Sequence, residues 1–129
     1  MKNLFIYFTA GCIGAVANSL VVWFFGDIGI TRAAGVAIAP ALSAQWLYGR
    51  IVWGGIWGLV FVLPLFRSNL VLKGSLLSLL PSIVQLLVIF PDAGKGMGGM
   101  ALGTLTPVFV LFFNWVWGVV AAAAIKIAR

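Results

Sequence analysis

The sequence predicts an all-α fold, a polytopic membrane helix bundle forming a single integral membrane domain over residues 1–129. Three observations carry that expectation. Hydrophobic residues make up 64% of the chain and charged residues 8%, against about 25% charged in an average soluble domain. The ten charged side chains stand between long uncharged runs and not within them. Those runs approach or exceed the length needed to cross a hydrocarbon core of about 30 Å at about 1.5 Å per helical residue.

The first span is residues 4–25, without a charge. Thr9-Ala10-Gly11-Cys12 loosely resembles a lipoprotein cleavage box, but the apolar run continues well past Cys12, which favours a span over a cleaved signal. The second run, 51–66, is bracketed by Arg50 and Arg67, and the third, 74–90, by Lys73 and Asp92. The fourth opens with Thr106-Pro107, read as a helix N-cap followed by proline at the first helical position, and continues to about residue 125, before Lys126 and Arg129. Four transmembrane helices are therefore expected.

Residues 33–48 are apolar, rich in small side chains and interrupted by Pro40. A separate crossing there would leave only Gly49 and Arg50 to reverse the chain, which is tight. A re-entrant or interfacial segment, or an extension of the second helix starting near Pro40, fits better than a fifth span. Arg50 then lies either inside the membrane, needing Asp27, Asp92, a carbonyl or a lipid phosphate as partner, or at the interface as an anchor beside Trp46, Tyr48 and Trp53.

Basic residues set the orientation. With the N-terminus inside, Lys2, Arg67, Lys73, Lys126 and Arg129 fall on the cytoplasmic side, and Arg32, Arg50, Lys95 and both aspartates on the other. Both termini are expected in the cytoplasm. The net charge of +6 reads as topology and contact with anionic membrane lipid; the basic residues form no patch suited to nucleic acid. There is no Glu, no His and one cysteine, which excludes a Ser-His-Asp triad, a Cys-His pair and an ordinary zinc site. No cofactor, metal or catalytic residue is expected. The remaining enzymatic option, action on lipid through Asp27 or Asp92, ranks last.

A shift of 64 to 65 residues places Phe25-Gly26-Asp27-Ile28-Gly29 on Phe90-Pro91-Asp92-Ala93-Gly94 and Val52-Trp53-Gly54 on Val116-Trp117-Gly118. The chain thus reads as an internal repeat, 1–66 and 67–129, of two parallel two-helix units. Broken segments at corresponding positions, 33–40 and 94–107, are where a transporter would build its binding region. The second holds Lys95 among five glycines. Gly94-Lys95-Gly96 lacks the spacing and preceding strand of a phosphate-binding loop, and a flexible connection on the outer face is the simpler reading.

Ser75, Ser78, Ser82 and Gln85 recur at intervals of three, four and three and so share one helix face. Together with Asn18 and Asn114 they are either interhelical hydrogen-bonding groups or the lining of a solute path. Gly11 and Gly14, the Gly54-x-x-x-Gly58 pair, and Gly118 mark close-packing faces, inside the chain or between subunits.

Residues 11–20 look like the first helix of the small fluoride channels, yet Asn18 stands where that family has arginine. Neither the asparagine-glycine motif of its second helix nor its Thr-Phe-Ser-Thr-Phe string is present, and that family is excluded. Residues 11–23, Lys73-Gly74-Ser75-Leu76-Leu77 leading into Gln85-Leu86, and Leu105-Thr106-Pro107 before a Trp-rich last helix resemble the YagU-like inner-membrane proteins. These motifs cover under half the chain. The resemblance implies a bacterial inner-membrane location and a helical fold, with no assigned reaction. The functional expectation is a small oligomeric membrane protein, a channel or transporter for a small solute; the alternative is an accessory or scaffold subunit of a larger membrane complex.

Overall fold

A computed structural model describes residues 2–64 and 69–128. Phe66, Arg67 and Arg129, which bracket or end expected spans, lie outside the described residues, as does the side chain of Lys2. The described residues are helical, with turns and loops and no strand. Helix α1 is Lys2–Asp27, α2 the single turn Ile30–Ala33, and α3 Ala44–Gly58, continued by a 3-10 turn, Leu59–Val62. Helix α4 is Leu70–Asp92 and α5 is Thr106–Ala128. Of these, α1, α4 and α5 are long and apolar enough to cross a membrane.

The third helix corrects the expected boundary. It begins at Leu70, four residues before the expected start, because Asn69 caps it, its side chain accepting from Leu72 N–H at 3.0 Å. Lys73 therefore sits inside the helix and not at its border. It is buried, and its ammonium donates to the Phe61 carbonyl at 2.7 Å. Helix α4 is also irregular. Pro81 has no N–H to offer the preceding turn, and residues Gln85–Ile89 form a π turn, a widening that inserts an extra residue into the helix.

No further spanning helix lies between α1 and α3: after the single turn α2 the chain is irregular through residue 43. The second helix also does not start at Pro40. Ser43 stops it there, its hydroxyl accepting from Trp46 N–H at 3.2 Å, so α3 opens at Ala44. Thr106 does not act as the expected side-chain cap. Its Oγ1 is buried and has no hydrogen-bond partner among the described residues.

Glycines set the helix contacts. A Cβ on Gly11 would fall on the Gly54 carbonyl and lie 2.9 Å from Gly58 Cα; one on Gly74 would fall on the Gly118 carbonyl and lie 3.1 Å from Ala122 Cβ. Gly54 and Gly58 thus serve packing of α3 on α1 inside the chain. Gly14 brings α1 onto α5 in the same way, against Trp117 and Ala121. The order across the bundle is α3, α1, α5, α4. At the α1 N-terminal end, Phe61 is wedged between Tyr7 and Trp117, with ring centroids 6.5 and 6.2 Å away, over Ile125. At the other end Phe25 packs on Phe109, Phe112 and Phe113. Both Phe-x-Asp-x-Gly strings end a helix with glycine in the left-handed region, Gly29 at φ 87° and Gly94 at φ 77°.

Candidate functional site: a polar cleft between two helical hairpins

Asn18 lies nine residues before the end of α1, Arg50 six after the start of α3, Gln85 seven before the end of α4, and Asn114 eight after the start of α5. At about 1.5 Å per residue these positions fall about 9 to 14 Å from the same end of the bundle. Four helices therefore place a polar side chain at one level, within otherwise apolar surroundings.

The groups are joined in two sets. Arg50 Nη2 donates to Asn18 Oδ1, and Arg50 Nε donates to Ser19 Oγ at 2.9 Å. Asn18 Nδ2 in turn donates to the Phe113 carbonyl, tying α1 to α5. In the other hairpin Asn114 Nδ2 donates to Ser82 Oγ at 3.0 Å and to Gln85 Oε1 at 3.3 Å. The Arg50 guanidinium also lies over the Trp46 ring, 4.8 Å from its centroid, a cation–π contact one helical turn away. Among the described residues the partners of Arg50 are an amide, a hydroxyl and the Trp46 ring, and neither Asp27 nor Asp92 pairs with it.

Two cavities open from this layer, of 370 and 270 Å³, and both are lined by Asn18, Arg50, Gln85 and Asn114. The larger reaches the end of the bundle, where residues 37–40, Phe90, Lys95 and Leu102 complete its wall. The smaller lies between α3 and α4, with Trp53 and Trp57 facing Pro81 and Ile89. The broken segments meet over this end. Ala37 N–H donates to the Leu102 carbonyl at 2.9 Å, and Gly103 is so close to Gly35 that a Cβ would fall on its carbonyl. Thr31 Oγ1 pins the first segment by donating to the Ile38 carbonyl at 2.8 Å.

The serine face divides. Ser75 donates to the Val71 carbonyl at 2.8 Å and accepts from Trp115 Nε1 at 3.0 Å, and Ser78 donates to the Ser75 carbonyl at 2.6 Å. Neither lines either of the two cavities. Ser82 is buried behind Asn114, donating to the Ser78 carbonyl at 2.9 Å, and of the four only Gln85 lines the two cavities. Asp27 and Asp92 are exposed at the helix ends and line neither cavity. Gly11, Gly14, Gly54, Gly58 and Gly118 act in packing, although Gly54 also touches the smaller cavity. Sequence reasoning missed Ser19 and the stacking role of Trp46. The Asn18-Ser19 pair and the Trp46-to-Arg50 spacing were the available signals. Compared with protein-family models, curated proteins and solved structures, the chain matches none.

Proposed function

We propose that this is a membrane protein that binds and passes a small solute through the polar cleft between its hairpins. The observation that carries the reading is the meeting of Asn18, Arg50, Gln85 and Asn114, one from each of four helices, on the walls of shared cavities. Polar side chains at membrane depth are retained where they line such a space or bond a neighbour, and these do both.

The same proposal includes four spans. Fifteen residues of α3 at about 1.5 Å and four 3-10 residues at about 2.0 Å give about 30 Å, the thickness of the hydrocarbon core. It also includes an internal repeat. Residues 11, 15 and 19 correspond to 74, 78 and 82, and residues 50, 54 and 58 to 114, 118 and 122. Gly11 meets Gly54 and Gly58 as Gly74 meets Gly118 and Ala122. Arg50 bonds Ser19 as Asn114 bonds Ser82. The π turn supplies one extra residue of the drift toward the 65-residue offset at Phe90. Binding regions sit at the interface of such repeats, and the cleft lies there. A bacterial inner-membrane location, as the YagU-like resemblance implies, cytoplasmic termini and a homo-oligomer complete the reading; no catalysed reaction is proposed.

Thiol accessibility tests it. In a Cys12→Ser background, Gln85→Cys reacts with a charged methanethiosulfonate faster than Leu87→Cys on the outer face of the same helix. Equal, slow reaction at both would overturn the reading. A second reading, an accessory subunit, is favoured by the outer face of α3, where Tyr48 and Trp53 are 67% and 63% exposed. Co-purification with one fixed partner in mild detergent, in place of a homo-oligomer, would decide for it.

A further inference from the structure

The equivalence of Arg50 and Asn114 raises a question that packing does not answer. Asn114 bonds Ser82 across its hairpin with a neutral amide, and Arg50 bonds Ser19 across the other. A neutral side chain thus suffices to tie two such helices together. A guanidinium at this depth is expensive unless its charge is used. Arg50 has no carboxylate partner among the described residues, its acceptors being an amide and a hydroxyl.

Of the five N–H donors of a guanidinium, two are engaged, Nε and one on Nη2. The other three have no partner among the described residues, and Arg50 lines both cavities. Gln85 Oε1 is occupied by Asn114, while its Nε2 donors have no partner among the described residues. Lys95 stands on the wall of the larger cavity. Neither aspartate lines either cavity. The free valence of the site is therefore donor-rich and cationic.

Resting on the cleft reading, we infer that the solute is an oxyanion, a carboxylate or phosphate group held by Arg50. Two parallel N–H donors of a guanidinium match two oxygens of such a group. Asn18 and Ser19 are positioning residues that fix the plane of the fork, with Trp46 as its backing. Gln85 adds a neutral donor, and Lys95 attracts the anion at the mouth. The same chemistry is offered by a free small anion and by a phospholipid headgroup entering between α3 and α4.

Full-length protein in phosphatidylcholine nanodiscs is heated while sodium phosphate or sodium acetate is titrated, with sodium chloride holding ionic strength constant. A parallel series contains phosphatidylglycerol. The expected result is a saturable rise in the unfolding midpoint that is lost in Arg50→Gln. Gln85→Glu, nearly isosteric and half-buried, places a carboxylate on the same walls and weakens the effect by about tenfold or more, the scale of one charge-assisted bond. It decides the matter if Arg50→Gln fails to fold. A rise with phosphate or acetate identifies a free anion; a rise with phosphatidylglycerol alone identifies a lipid headgroup, and either supports the inference. No rise, or one that persists in the variants, overturns it. Fast thiol reaction at Gln85→Cys alongside that negative result would leave the cleft wet and the anion wrong; slow reaction would remove the cleft reading itself.

Discussion

Replacing Gly118 with alanine puts a methyl group where the backbone of Gly74 already stands. The new Cβ would fall on the Gly74 carbonyl oxygen, lie 2.8 Å from the Gly74 carbonyl carbon and 3.1 Å from Ser78 Cβ. Carbon atoms pack best at about 3.5 to 4.0 Å. Helices α4 and α5 must then separate by at least about 0.7 Å along this contact, and no flexible side chain can yield in their place. Overpacking of this kind costs about 1 to 3 kcal/mol. Gly11→Ala meets the Gly54 carbonyl in the same geometry and is expected to cost as much. Gly49→Ala is the control, with nothing within 4 Å of its Cβ, and should change stability by no more than about 1 kcal/mol, the helix propensity difference. Unfolding in mixed micelles by titrated sodium dodecyl sulfate, followed by tryptophan emission, measures all three. If Gly118→Ala and Gly11→Ala unfold where Gly49→Ala does, the glycine contacts do not hold the hairpins.

Asn18→Leu removes an acceptor from Arg50 and the donor to the Phe113 carbonyl. It is expected to cost about 2 kcal/mol, as for a bond to a charged group, in the same detergent titration. Gly29→Ala and Gly94→Ala force a side chain into the left-handed region, at φ 87° and 77°, and each should cost about 1 kcal/mol; a difference well beyond that between them would deny the two helix ends equal roles. Ser75→Ala breaks the Trp115 contact at the edge of α4. It should cost about 0.6 kcal/mol, the average for interhelical bonds in membranes, and leave thiol access at Gln85→Cys unchanged.

Element existence was readable because apolar runs bounded by charges leave few alternatives. The boundaries were less so. Lys73 looked like the edge of a span because a charge usually marks one. Here Asn69 caps the helix four residues earlier, and the Phe61 carbonyl gives the ammonium a buried partner. The polar face on α4 was visible as a spacing, yet that spacing could not separate Ser75 and Ser78, satisfied by carbonyls of their own helix, from Gln85, which faces space. Arg50 was flagged, but its partners lie 31 and 32 residues away, and no local pattern encodes a pairing across helices. The proposed repeat rests in the sequence on the Phe-x-Asp-x-Gly and Val-Trp-Gly strings. The similar contacts of Gly11 and Gly74, and of Arg50 and Asn114, are seen only in the packing, because these residues differ in offset or identity.

A structure determined in lipid nanodiscs, at a resolution that shows ordered solvent, tests the cleft most directly. The account predicts hydration continuous from the Lys95 end to Gln85, with density for water or an oxyanion against the free N–H groups of Arg50. Closure of α3 onto α4 that leaves Arg50 dry, or an acyl chain filling both cavities, would contradict it.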